Sequence, residues 1–168
     1  MIDLKARAMD TFDERPNTIH WPPLLYGIAF IVPWVLGWLL PVPDLVFSRP
    51  LEDILVSLGW ALMATGGVIG YLALRSFAGV DTPFSPTARA EKLVTFGLYN
   101  NTRNPMYLGA LIAFFGLAMA TGNIWRYTMV PFLFFGLQHF AIIREEAHLK
   151  ARFGSAWDEY AGKVKRWW

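Results

Sequence analysis

WPPLLYGIAFIVPWVLGWLL, residues 21–40, holds no charged side chain. Its length is what an α-helix needs to cross a hydrocarbon layer about 30 Å thick. The charge-free interval around it runs for 28 residues, from Arg15 to Asp44. Three more intervals follow: 21 residues between Asp53 and Arg75, 22 between Arg103 and Arg126, and 17 between Arg126 and Arg144. Each can hold a span of roughly 17–25 residues. The expected spans are about 21–40, 54–74, 106–122 and 127–143, the last with little tilt or a thinned bilayer around it. Four such intervals in 168 residues are too many for the buried helices of one soluble domain.

Composition agrees. Hydrophobic residues make up 55% of the chain and charged residues 17%, with a mean hydropathy of +0.34. A soluble domain carries about 25% charged residues to build its polar shell. That excludes a free cytosolic enzyme and a disordered segment. With 0 Cys, a disulfide scaffold and thiolate metal sites are excluded, and 3 scattered His argue against a histidine-based metal site. A net charge of +2 is too small to indicate nucleic acid. The fold expected is an all-α membrane helical bundle with about four transmembrane helices.

Orientation follows from Lys and Arg. Lys5, Arg7 and Arg15 precede the first span; Arg75, Arg89, Lys92 and Arg103 lie between the second and third. Arg144, Lys150, Arg152, Lys163, Lys165 and Arg166 follow the fourth, and only Arg49 and Arg126 fall on the other side. The positive-inside rule then puts both termini and the central loop in the cytoplasm, with a cytoplasmic C-terminal helical tail. The first apolar run is too long for the core of a cleavable signal, and no lipidation motif stands at either end. A bacterial inner membrane is the expected location.

One domain is expected. It comprises an arm (1–20) with no legible chemistry, two packing spans (21–74), a cytoplasmic loop (75–105), a helical hairpin (106–143) and a tail (144–168). Pro33 should kink the first span. Gly66 and Gly70 have the spacing that lets a neighbouring helix, or a second copy of the chain, approach closely. Trp21, Trp34, Trp38, Trp60, Trp125, Trp167 and Trp168 are expected mostly near the membrane interfaces.

The chemistry concentrates at one end of the hairpin. The loop VDTPFSPTARAEKLVTFGLYNNTRNP (80–105) is polar and leads into the third span, closing with Arg103. The short turn TGNIWR (121–126) folds spans three and four antiparallel, so Glu145 and Glu146 return to the level of Arg103. Opposite charges at a bilayer boundary are costly unless paired with each other or with a ligand. An ion pair between Arg103 and either glutamate satisfies the pattern without any function. Lys150, at i+4 from Glu146, offers an alternative helix pair of the same kind.

LVTFGLYNNTRNPMYLG (93–109), an apolar hairpin, and REEAHLKARFGSAWDEYAGKVKR (144–166) together resemble the isoprenylcysteine carboxyl methyltransferases and the related phospholipid N-methyltransferases. Arg103, Asn104, Pro105, Met106, Tyr107 and Gly109 match the first motif. Glu145 and Glu146 match the glutamate pair, and Phe153, Gly154, Trp157 and Tyr160 match the aromatic tail. The likeness runs from about residue 82 onward, and its specificity lies in the ordered combination. Asn104 stands where isoprenylcysteine enzymes usually have His, which leans toward the phospholipid branch or toward bacterial relatives of unsettled substrate.

The resemblance implies transfer of a methyl group from S-adenosyl-L-methionine to a membrane-embedded lipophilic substrate. The expected acceptor is a phospholipid amine of the phosphatidylethanolamine type or an isoprenylcysteine-like carboxylate, entering laterally from the bilayer. The glycine loop of soluble methyltransferases, G-x-G-x-x-G, is not in the sequence. The cofactor's amino-acid end carries an ammonium and a carboxylate, so one anionic and one cationic partner are implied. Arg103 suits an oxyanion; Glu145 or Glu146 suits the ammonium or the ribose hydroxyls. Neighbouring helical positions point about 100° apart, so one glutamate faces the ligand. The implied cofactor-binding set is Tyr99, Arg103, Asn104, Tyr107, Gly109, Glu145 and Glu146, with Arg103, Asn104 and Tyr107 closest to the reaction and no metal. Tyr99 and Tyr107 serve equally as interface aromatics, and His139 and His148 are read as structural. Two other classes fit parts of the pattern: an NADPH-dependent membrane sterol-type reductase, and a non-catalytic membrane subunit that keeps the fold.

Overall fold

The computed structural model describes residues 19–45, 47–78, 80 and 90–167. Most of the N-terminal arm, with Lys5, Arg7 and Arg15, lies outside them, as do Arg89 in the loop and Trp168. Among the described residues, six α-helices follow in order: α1 (Trp21–Leu39), α2 (Arg49–Arg75), α3 (Pro105–Thr121), α4 (Ile124–Gly136), α5 (Ile143–Phe153) and α6 (Ser155–Lys163). A 3-10 turn, Gly97–Asn100, precedes α3, and a π-helical segment, Leu137–Ile142, joins α4 to α5. The described residues form no strand.

Local chemistry sets the ends. Prolines open α1, α2 and α3, where the absent N–H would have no helical partner. Gly122, at φ 63°, ends α3 in the left-handed conformation that glycine adopts without strain. Asn123 then caps α4 by accepting the Arg126 amide N–H at 3.1 Å. The turn of the hairpin is thus only Gly122 and Asn123, tighter than the expected 121–126. Helix α1 runs on through Pro33.

The spans agree with expectation at α1 and α3, whereas α2 starts earlier, at Arg49. The fourth differs in kind. It is not a plain helix ending at 143 but one continuous rod, α4–π–α5, that runs past Glu145 and Glu146 to Phe153 without a break.

Helices α1 and α2 are both long and apolar enough to cross a membrane, and little of either is buried inside the protein. A core helix of a soluble protein would be covered. Here Trp38 is 80% exposed, Trp34 75% and Phe132 69%. Large apolar side chains on the outside of an all-helical fold mark a membrane bundle.

Helix α3 is the spine: α2 packs along one side, α4 on another, and α1 closes against α4. The α2–α3 contact is made by glycines. A Cβ at Gly59 would fall 2.5 Å from the Ala120 amide nitrogen, and one at Gly66 would fall 2.6 Å from that of Ala113. Gly109 and Gly116 answer from α3, each against the α2 backbone. The α2 glycines that have no room for a side chain are thus Gly59 and Gly66, seven residues apart; of the expected Gly66 and Gly70, both backbones lie against Gly109, but only Gly66 turns its side-chain position into the seam. A Cβ at Gly70 would meet nothing within 4 Å. The Gly66 face is filled within one chain.

The main core joins Ala29 of α1, Leu111 and Phe114 of α3, Leu133 of α4, and Leu137 and Ile142 of the π segment. At the far end, the Leu45 amide donates to Gly122 O at 2.9 Å and the Trp125 indole to Leu40 O at 3.2 Å, so the two hairpin turns are clasped. Trp167, expected at an interface, turns inward instead. Its indole N–H donates to Gln138 Oε1 at 3.0 Å and its ring lies 5.0 Å from that of Phe134.

Candidate functional site

The other end of the bundle gathers the start of α3, the base of α5, and the tail. Buried Tyr99 anchors the pre-α3 loop against Ala73 and Val94, and its carbonyl accepts the Tyr160 hydroxyl at 2.8 Å. Trp157, Tyr160 and Val164 form a small core under that loop. The last described residues are then strapped beneath the Arg103 segment. The Arg103 amide donates to Lys165 O at 3.0 Å. Thr102 Oγ1 and Asn104 Nδ2 each donate to Arg166 O at 3.0 Å.

The two glutamates at the start of α5 point to different partners, as their helical spacing requires. Glu146 lies between two arginines. Arg166 grips it with Nε at 2.9 Å and Nη2 at 2.5 Å, while Arg103 Nη2 stands 3.5 Å away. The sequence-level ion pair therefore forms, with Glu146, but Arg103 is its outer member. The Arg103 guanidinium lies 5.6 Å from the Trp157 ring centroid, and its Nε is buried with no acceptor among the described residues. Glu146 does not pair with Lys150, which reaches Asp158 at 3.0 Å.

Glu145 turns into the bundle. Its Oε1 accepts the Tyr107 hydroxyl at 2.5 Å, and no cation among the described residues pairs with it. Burial pushes its carboxyl up to about 7; the Tyr107 hydrogen bond opposes this and the Glu146 charge adds to it. Burial likewise raises the Tyr99 hydroxyl well above its ordinary value, with Glu145 as the second cause. Among the described residues, the site thus holds a half-buried carboxyl without a cation and a buried guanidinium N–H without an acceptor.

Not every expected residue is brought here. Gly109 faces Gly66 and Gly70 of α2, because its missing side chain is what lets the two helices meet. Asn104 is buried, and its amide N–H holds the tail. His148 is buried and accepts the Ala90 amide at 3.1 Å, tying the loop to α5. His139 is exposed and edge-on to Phe140. Sequence reasoning missed Arg166, which counted only as a positive charge, and Gln138 and Trp167. Arg166 meets Glu146 from 20 residues away, a separation with no helical or strand period to reveal it.

The chain matches the model of the phospholipid methyltransferase family over residues 54–156, and it belongs to that family. Members of that family are methyltransferases. Among curated proteins, it is 34% identical over 76 residues to a nickel-cobalt-cadmium resistance protein, NccN, of Alcaligenes xylosoxydans xylosoxydans. That match covers 45% of this chain and 35% of the resistance protein, so the chain spans about a third of that relative's length. It is also 32% identical over 62 residues to an uncharacterised protein of Haemophilus influenzae, covering 37% of this chain and 98% of that one. No solved structure matches.

Proposed function

We propose that this chain is an integral membrane methyltransferase that uses S-adenosyl-L-methionine to methylate a lipophilic acceptor reaching it from the bilayer. Family membership supports methyl transfer in general. The observation that carries the cofactor is a pairing seen among the described residues: Glu145, half-buried and hydrogen-bonded to Tyr107 but without a cation, and Arg103 Nε, buried without an acceptor. A zwitterionic amino-acid end needs one partner of each sign. Glu145 takes the ammonium, Arg103 the carboxylate, and Tyr99 and Tyr107 flank the nucleoside or the path of the methyl group. When bound, the cofactor supplies a sulfonium methyl that an amine, carboxylate or thiolate can attack. The protein's own work is to hold the reacting groups in line and exclude water.

The acceptor we favour is a phospholipid amine of the phosphatidylethanolamine type, with an isoprenylcysteine-like carboxylate second. Support comes from the family and from Asn104 in place of His. An apolar groove of about 430 Å³ between α1 and α4, lined by Leu25, Ile28, Met129, Phe132 and Phe135, suits a hydrocarbon chain. The positive-inside count puts the site on the cytoplasmic face of, we propose, a bacterial inner membrane.

The test is methyl transfer in vesicles. The purified chain is reconstituted with phosphatidylethanolamine and methyl-labelled cofactor. Label in the lipid extract, absent with Glu145→Gln, is the expected result. Label absent from the amine lipid and present on an added prenyl-cysteine would replace the acceptor. Label on neither, or unaffected by the substitution, would overturn the reading.

A further inference from the structure

Arg103 is useful to a ligand only if something else neutralises Glu146. That carboxylate is 14% exposed, and a largely desolvated carboxylate draws a nearby guanidinium into contact. Arg103 is the nearest candidate on the motif, yet it holds Glu146 through one nitrogen at 3.5 Å and keeps its Nε without an acceptor among the described residues. The stronger grip belongs to Arg166, whose Nε and Nη2 take both carboxylate oxygens. Such a fork-on-fork pair takes one lone pair of each oxygen and balances the Glu146 charge, leaving Arg103 at its edge.

The backbone makes the arrangement reciprocal. Thr102 and Asn104, on either side of Arg103, hold the Arg166 carbonyl, and Arg103 itself holds that of Lys165. The segment that presents Arg103 thereby fixes the residue that relieves it of Glu146.

Resting on the proposed cofactor reading, we infer that Arg166 is a positioning residue of the site: it engages both oxygens of Glu146 and balances its charge, so that Arg103 keeps a donor for an incoming carboxylate. Glu146 is then a structural acid, and Glu145 the ligand-facing one. Removing Arg166 leaves Glu146 to capture Arg103. Removing Glu146 as well takes away the competitor.

The experiment compares S-adenosylhomocysteine affinity of the full chain by calorimetry in wild type, Arg166→Gln, Arg166→Lys and the double variant Glu146→Gln/Arg166→Gln, each checked for a cooperative thermal transition. Arg166→Gln should weaken binding by about tenfold or more, as loss of a charged partner does. Arg166→Lys should weaken it less, since a point charge replaces the fork. The double variant should return to within about threefold of wild type, a rescue that a mere strap would not show. Wild-type affinity in Arg166→Gln, or a double variant as weak as the single, overturns the inference while the cofactor reading stands. Failure of the wild type itself to bind overturns that reading, and the inference with it.

Discussion

The Tyr107 hydroxyl donates to Glu145 Oε1 at 2.5 Å, joining the first turn of α3 to the first turn of α5 across 38 residues of sequence. The contact exists because the α3–α4 hairpin returns the chain to its starting level and the π segment carries it on as one rod. It makes Tyr107 a reporter of the Glu145 charge, and Glu145 the acid of the pair that meets no arginine among the described residues.

Glu145→Gln and Glu146→Gln should therefore weaken S-adenosylhomocysteine binding unequally. Loss of a charged partner to the ammonium is worth about 1.5–3 kcal/mol, roughly ten- to hundredfold. Glu145→Gln should show a loss of that size by calorimetry and Glu146→Gln a smaller one. Equal and negligible losses would remove both from the site.

Binding should depend on pH through Glu145. Its carboxyl is raised from an ordinary 4.5 to about 7, so below that pH a cationic group must displace a proton to bind. Affinity should drop about tenfold per unit of pH below the titration point, level off above it, and lose this dependence in Glu145→Gln. The unliganded protein has the opposite slope. A carboxyl raised by folding contributes stability that is fully present below 4.5 and is lost as pH rises through about 7. Thermal midpoints in detergent from pH 4.5 to 8 follow this directly.

Tyr107→Phe removes the hydrogen bond that holds the Glu145 titration down. The binding profile should move to higher pH, so that affinity lost at neutrality returns in mildly alkaline buffer. An unshifted profile would mean the contact does not govern the charge.

The glycine seam should tolerate no side chain. Gly59→Ala and Gly66→Ala each place a Cβ against α3 backbone, and overpacking of this kind costs about 1–3 kcal/mol. Gly67→Ala meets nothing within 4 Å and should be neutral or slightly stabilising. Thermal unfolding in detergent separates the two classes.

Topology is testable because the chain has 0 Cys. A cysteine at Lys163 should react with an impermeant thiol reagent only from the cytoplasmic side, and one at Asp44 only from the opposite side. Reversed labelling would invert the orientation.

Much of this was legible in the chain. The charge-free interval around 21–40 located α1 almost to the residue, because in hydrocarbon neither charges nor unpaired backbone are tolerated. The return of Glu145 and Glu146 to the level of Arg103 followed from the hairpin alone. The register of the α2–α3 seam did not. Gly66 and Gly70 show where a helix can approach, but Gly109 and Gly116 on the partner decide which glycines it meets. The π segment has no periodic signature of its own, and it was invisible. Arg166 was hidden for a related reason, since its pairing is set by the path of the tail beneath residues 102–104.

The decisive measurement is calorimetric titration of the purified, detergent-solubilised chain with S-adenosylhomocysteine, beside NADPH. Saturable binding of the first alone is expected, carried by Glu145 and Arg103. A folded sample that binds NADPH alone would contradict it in favour of a reductase, and one that binds neither would leave a membrane subunit without turnover.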